Sequence, residues 1–340
     1  MDSNNLKVSI IIINFNGIKY LGPCISSIYE SNYPKSSYEI IVVDNASEDR
    51  SIDFLTKNYP DVILVKLKQN LGYTGGNNEG VKHAKYDYYI FLNNDTIVDK
   101  NWLSELTTAI QIDNRIGLCA SHIVSMDKKT SQYDGYLLHT LGGVIPGHRV
   151  GKLSNINVNF IGSVQGASFI IRKSVFHELN GFDGTYFMYS DEVDLSYRAW
   201  ISGYDIIYAP KSIVYHKGGG SSKNTSQSNM FKKRLNSSLR VYYGNRNSLI
   251  NIIKTYEIKD IIIGLLFSFP IFALQAFFLI KSREFRLLIS LFKAMIWPLI
   301  YIKIILINRK IVQKKRKRSD SELDRLHIFL RIPELIKRAI

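Results

Sequence analysis

The sequence predicts an α/β fold built on a mostly parallel sheet, on three observations. Short, near-continuous apolar runs recur: KVSIIIIN (7–14), EIIVVD (39–44), VILVKL (62–67) and DYYIFL (87–92). Stretches of helical character separate them, about 18–31 and 49–58. Polar residues follow the runs at once: Asn14 and Asp44 end two of them, and Asp95 lies just past a third. Runs without alternation are buried on both faces, as parallel strands covered by helices are. Ligands gather beyond the carboxyl ends of such strands, so Asn14, Asp44 and Asp95 should converge on one crevice.

The elements after residue 165 are less regular. GASFIIR (166–172) reads as a strand and 173–179 as a short helix. Glycine-rich GFDGTYF leads into MYSDEVDLSYRAW (188–200), a helix reaching about Ile201. DIIYA (205–209) and IVYH (213–216) read as two short strands either side of Pro210, and GGGSSKNTSQSN (218–229) as a flexible loop. Residues 261–280 carry no charge and are just long enough to span a bilayer. Residues 287–307 are also apolar but hold Lys293, Pro298 and Lys303, and the linker KSREFR joins the two segments. If both spanned, that basic linker would face outward, against the positive-inside tendency. A hairpin lying in the interface, or re-entering it, escapes the conflict; a buried helical pair is the soluble alternative.

Of the 340 residues 46% are apolar, which excludes disorder over most of the chain. Cys24 and Cys119 are too few for a disulfide framework and lack metal-ligand spacing, which fits a reduced, cytosolic setting. MDSNNLKVSI shows no basic region before an apolar core, so no signal peptide is expected. Charge is uneven: residues 1–280 hold 28 Lys/Arg against 24 Asp/Glu, whereas 281–340 hold 16 against 5. A basic tail beside apolar segments, with KKRKR at 314–318, points to an anionic membrane surface on the cytoplasmic leaflet and away from nucleic acid.

Several residues can carry chemistry. Asp44, in VVDNASEDRS, either shapes a helix-start turn or accepts hydrogen bonds from a nucleobase imide or ribose hydroxyl. In NLGYTGGNNEG (70–80), Gly72, Gly75 and Gly76 permit close backbone approach or unusual dihedrals, with a plain loop as the alternative. Its spacing matches neither a dinucleotide fingerprint nor a P-loop. In FLNNDTIV, Asp95 with Asn93 and Asn94 offers hard oxygen ligands for Mg²⁺ or Mn²⁺ shared with a diphosphate, or forms a structural turn. His216 is a core histidine or a nitrogen ligand consistent with Mn²⁺. In MYSDEVDLSYRAW, Asp194 can pair with Arg198 four residues on, and Asp191 or Ser190 can cap the helix. That leaves one carboxylate over, a general-base candidate at the mouth of a crevice.

Together VSIIIINFNG, VVDNASEDRS, NLGYTGGNNEG, FLNNDTIV and the stretch from GASFIIR to YHKGGGS resemble glycosyltransferase family 2, in its rhamnosyltransferase-like branch. The motifs run in order over about residues 7–221, and YYGNRN (242–247) looks like the family's exit from the catalytic domain. The resemblance implies an A-type glycosyltransferase fold, placed over 1–240; the apolar segments and the charge runs add a helical membrane-associated hairpin (241–312) and a basic C-terminal tail (313–340). The resemblance places Asn14, Asn16 and Asp44 around the base and ribose of a nucleotide-diphospho-sugar, with Asn77, Asn93 and Asn94 lining the donor pocket. Asp95 matches the last Asp of the family's Asp-x-Asp metal motif, whose first Asp is replaced by Asn93; His216 is a further candidate ligand for Mg²⁺ or Mn²⁺. The family's Glu-Asp pair is reversed, so Glu192 takes the base's place by position and Asp191 by residue type. The implied reaction is inverting transfer of a sugar, rhamnose by the branch, to a lipid-linked glycan or surface polysaccharide precursor. Two rival readings stand beside it. A sugar nucleotidyltransferase needs a basic, glycine-rich triphosphate loop that NFNG does not offer. An inactive membrane scaffold draws on the reversed carboxylates and the missing first Asp.

Overall fold

The computed structural model describes residues 5–217 and 238–339; the stretch read as a glycine-rich loop, 218–229, lies outside them. The first half alternates as expected: β1 (Val8–Asn14), α1 (Ile18–Tyr29), β2 (Tyr38–Asp44), α2 (Ser51–Asn58), β3 (Ile63–Lys66), α3 (Gly72–Val81) and β4 (Tyr88–Asn93). Next come β5 (Thr96–Val98), α4 (Trp102–Ile110) and β6 (Ile116–Ser125). An excursion of short strands extends from there: β7 (Ser131–Tyr133), β8 (Tyr136–His139), β9 (Gly143–Pro146), β10 (Arg149–Leu153) and β11 (Ile156–Phe160). The chain then returns through β12 (Ser168–Arg172), α5 (Lys173–Glu178), α6 (Asp191–Ile201) and β13 (Asp205–His216).

The main sheet runs β10-β11-β13-β6-β12-β4-β1-β2-β3. Strands β1 to β4 pair in parallel with matched ends: Asn14 lies level with Asp44, and Ile13 with Asn93. Their polar terminators therefore reach one edge together, as the sequence predicts. The sheet as a whole is mixed, not mostly parallel. Strand β12 runs antiparallel between β4 and β6, and β11 antiparallel against β13. Ser168–Ile171 are buried, so this strand's apolar run looks like that of a parallel strand, and burial does not encode direction. The two strands expected around Pro210 are one, β13, which absorbs the proline at a register shift between Ala209 and Ile213.

The glycine-rich stretch 70–80 is mostly the helix α3. Each glycine costs a helix about 1 kcal/mol relative to alanine, so propensity argues against it. Packing overrides the propensity. A Cβ on Gly80 would stand 2.7 Å from Ile11 and 2.9 Å from Val43, and one on Gly76 3.0 Å from Ile13. Glycine lets this helix lie directly on β1 and β2.

Among the described residues after β13, the chain continues as α7 (Ser238–Thr255), α8 (Ile258–Lys281), α9 (Phe285–Ile300) and α10 (Ile302–Lys314). Helix α8 is long and apolar enough to cross a bilayer; α9 and α10, bent 66° at Tyr301, meet that test as a pair. The chain ends in α11 (Asp320–Arg325), β14 (Phe329–Leu330) and α12 (Ile332–Ala339), with β14 pairing in parallel with β8. The basic run expected to face a leaflet is largely engaged by the protein itself. Arg316 pairs with Asp320 at 2.7 Å, Arg318 with Asp205 at 2.9 Å, and Lys315 donates to the Glu178 carbonyl. Within the run, Lys314 and Lys317 stay exposed.

Candidate functional site

At the shared edge of β1, β2 and β4, the predicted donor-side residues form a bonded chain. Asn14 donates from Nδ2 to Asp44 Oδ2 (3.1 Å) and Ser47 Oγ (3.1 Å), and its Oδ1 accepts from Asn94 Nδ2 at 2.8 Å. Asp44 Oδ1 accepts the Ser47 amide at 2.9 Å. Asp44 is fully buried with both oxygens bonded, so it shapes the wall from behind. Asn16 is exposed in the left-handed region (φ 52°), and its Oδ1 gathers the amides of Glu48 and Asp49. Asn77 is buried on α3 with Nδ2 turned onto the Tyr73 carbonyl of its own helix. Asn93 is anchored through its backbone, its amide on the Ala167 carbonyl and its carbonyl accepting from Thr96 Oγ1.

Asp95 meets His216 across the β5–β13 pair, Oδ1 to Nε2 3.3 Å. Gln132 fixes the ring: its Nε2 donates to the His216 carbonyl, so its Oε1 faces Nδ1 at 3.0 Å and accepts from it. That network puts a proton on Nδ1, so in the neutral ring the Nε2 lone pair is aimed at a carboxylate oxygen. A lone pair against an anion is favourable with a cation between them or with the ring protonated. Two ligands held at about 2.1 Å from one ion at right angles lie about 3 Å apart. The donor set therefore fits Mg²⁺ or Mn²⁺. No sequence signal points to Gln132, which arrives from the excursion strand β7.

The third group is the acidic start of α6. No capping bond comes from Ser190, which sits at φ 57°, and Asp191 is the first residue of the helix. Asp194 pairs with Arg198 as expected, Nη2 to Oδ2 2.7 Å, and also with a second cation that no local spacing indicates. Lys254 of α7 places its Nζ 2.6 Å from Asp194 and 2.6 Å from Asp183. Burial alone would raise the Asp183 carboxyl, but Lys254 and Thr185 outweigh it and hold the group below the usual carboxylate range.

Asp191 and Glu192 remain. Asp191 is buried, and its Oδ2 has no hydrogen-bond partner. Burial, then the charge of Glu192, push its carboxyl well above the usual range; burial also raises Glu192. Two carboxyls this close do not both ionise easily, so one proton is shared between them. Glu192, only partly buried, is the better placed to carry the negative charge. Tyr73 stands beside the pair; its phenol is raised by burial and then by both carboxylates, and its hydroxyl donates to the Gly166 carbonyl at 2.9 Å. Thr74 and Gln165, the chain neighbours of Tyr73 and Gly166, add further buried unpartnered oxygens. The unpartnered Asp191 oxygen is the kind of unmet buried polar atom that a ligand can satisfy.

The segment carrying these acids bends through left-handed Phe187, Tyr189 and Ser190. Such residues cost on the order of 1–3 kcal/mol each, so neighbours must hold them. On one side the Tyr73 amide donates to the Phe187 carbonyl at 2.7 Å. On the other, Asn247 Nδ2 donates to the carbonyls of Tyr186, Met188 and Tyr189, and Arg246 Nη2 to those of Thr185 and Tyr186. Both belong to YYGNRN, which the sequence marks only as an exit from the domain.

A family model described as Glycosyl transferase family 2 matches residues 9–194. A poly(ribitol-phosphate) beta-glucosyltransferase of Bacillus spizizenii is 34% identical over 97 residues, 27% of this chain and 15% of the relative. A poly-beta-1,6-N-acetyl-D-glucosamine synthase of Staphylococcus aureus is 24% identical over 227 residues, 63% of this chain and 53% of the relative. The chain thus spans at most about half the length of these relatives. Among solved structures, GalNAc-T7 with UDP, GalNAc and Mn²⁺ superposes with a TM-score of 0.58 at 19% identity, over 76% of this chain and 49% of that one. The mannosyltransferase PcManGT of Pyrobaculum calidifontis, with GDP-Man and Mn²⁺, gives 0.54 at 14% identity over 87% and 88%. At these identities the likeness is one of fold.

Proposed function

The chain belongs to glycosyltransferase family 2, with an A-type α/β fold, and on that premise we propose that it transfers a sugar by inverting, metal-dependent single displacement. The carrying observation is the acid pair at the head of α6, a buried Asp191 with an unpartnered oxygen beside the more exposed Glu192. Glu192 takes the proton of the acceptor hydroxyl as its oxygen attacks the anomeric carbon, and Asp191 holds the proton that keeps Glu192 the ionised partner. Asn14, Asn16 and Asn94, backed by Asp44, receive the nucleotide, with Asn77 and Asn93 in the wall behind. Asp95 and His216 would hold the divalent cation, whose charge stabilises the leaving diphosphate.

The donor is a nucleotide-diphospho-sugar; the branch resemblance favours rhamnose. The acceptor is a lipid-linked glycan or surface polysaccharide precursor, supported by the polymer-directed names of the relatives. The apolar faces of α8 to α10 support attachment to the cytoplasmic face of a membrane. A panel of UDP-, dTDP- and GDP-sugars with Mn²⁺ tests the reading. One nucleotide class should raise the melting temperature and be hydrolysed only with the cation; a panel with neither response would sink it.

Asn247 acts here through the acids it positions. Asn247→Ala should lower kcat by about 10²-fold, the usual cost of a misplacement near 1 Å, while the donor Kd measured by titration stays put. An equal loss of donor affinity would instead mark Asn247 as part of the general scaffold.

A further inference from the structure

We propose that the protein is monotopic: α8 lies flat on one anionic leaflet, beside α9 and α10, and no helix among the described residues crosses the bilayer. This rests on the membrane attachment proposed above and adds its geometry. By length α8 qualifies as a span, since 24 residues reach about 36 Å against a hydrocarbon core of about 30 Å. Its packing argues otherwise.

Helix α8 folds back beside α7 and α9, with α7 packing most closely on α9. Near its start, Gly264 lies against Ile252 and the Thr140 carbonyl. Farther along, Phe272 and Leu279 join Val241 and Leu249 of α7, with Leu287 and Leu291 of α9, in one buried cluster. The inward face of α8, Asp260, Gly264, Ser268 and Phe272, repeats every four residues. Beneath it, α7 presents Arg246, Asn247, Asn251 and Lys254 to the acid-bearing loop, all of them buried. A crossing α8 would carry those side chains, and the loop they hold, to hydrocarbon depth, where ionisable groups are expensive. Helix α9 alone, at 16 residues about 24 Å, is too short to return, it exposes Lys293 midway, and the 66° bend at Tyr301 turns α10 off its line.

The outward face suits a leaflet lying parallel to α8. Ile262, Leu266, Phe269, Leu274 and Phe277 are each more than half exposed, as are Phe285 and Ile289 on α9. Exposed Lys281, Arg283, Arg286, Lys293, Lys303, Lys310 and Lys314 lie on these helices and their turn, against one exposed acid, Glu284. A second copy docked on this face would set cation against cation; anionic headgroups neutralise them.

Cys24 and Cys119 are fully buried, so single cysteines can report sidedness. Ser282→Cys marks the α8–α9 turn and Lys152→Cys the catalytic domain, both exposed. The full chain is expressed in bacteria, and inverted and right-side-out membrane vesicles are treated with an impermeant maleimide. Both cysteines should label in inverted vesicles and neither in intact right-side-out ones. Labelling of Ser282→Cys only in right-side-out vesicles, with Lys152→Cys unchanged, overturns the flat placement and keeps the attachment. A protein that stays out of the membrane fraction, or a lipid-free dimer that ignores anionic vesicles, overturns both. Arg283→Gln with Arg286→Gln should lower partitioning onto anionic phospholipid vesicles about 30-fold, each cation near the surface being worth about fivefold. Unchanged partitioning would remove the turn from the contact.

Discussion

Glu192→Gln should lower sugar-transfer turnover by about 10² to 10⁴-fold with little change in donor affinity, the range for removing a general base. Amide and carboxylate have the same shape, so the loss reports proton acceptance and not packing. Burial raises the Glu192 carboxyl, so turnover of the unaltered protein should decline on the acid side above the ordinary glutamate range. Asp191→Asn separates the two acids. It should cost turnover less and raise the melting temperature at neutral pH. Burial, then Glu192, raise the Asp191 carboxyl, so the folded chain binds that proton more tightly than the unfolded chain does. The stability it contributes is fully present below the unfolded value of about 3.9 and lost as pH rises through the raised folded value. Asparagine removes that loss, so the gain in melting temperature should shrink on acidification. A larger turnover loss for Asp191→Asn than for Glu192→Gln would reverse the roles.

The donor-side edge was legible because two physical signals coincide there. A strand buried on both faces must be apolar to its last buried residue, and the chain beyond that residue is free to be polar; Asn14, Asp44 and Asp95 mark that change. Helix α3 was not legible because two of its four glycines, Gly76 and Gly80, are explained only by Ile11, Ile13 and Val43 beneath them. The direction of β12 was not legible either, since burial is blind to polarity of the chain. The clamp on the acid-bearing loop lies deepest. Asn247 and Lys254 come more than fifty residues after Asp191, and nothing local in YYGNRN says which carbonyls it will meet. The pairing of Asp194 with Arg198 needed only the four-residue spacing of one helix, and it was legible for that reason. Charge counting misled at KKRKR, because a cation's partner can be a carboxylate of the same chain as readily as a lipid.

Asp95→Asn should reduce metal-dependent turnover by about 10³-fold, the scale of several kcal/mol attributed to a cation on a leaving group. Substitution keeps the side chain's shape and its place opposite His216, and removes the only carboxylate facing Nε2 among the described residues. The first Asp of the family motif is Asn93 here, so little else of charge is at hand to compensate. Removal of the cation by chelation should give the same loss in the unaltered protein, restored by added Mn²⁺, whereas Asp95→Asn should respond weakly to either. Gln132→Ala provides the control that distinguishes a ligand from a core histidine. Without the amide that orients the ring, half-activation should require about 10 to 100-fold more Mn²⁺, the usual effect of losing a ligand's outer partner. If His216 only fills the core, Gln132→Ala would lower the melting temperature and leave the Mn²⁺ requirement where it was. Full turnover by Asp95→Asn in the presence of chelator would instead exclude the metal-assisted reaction.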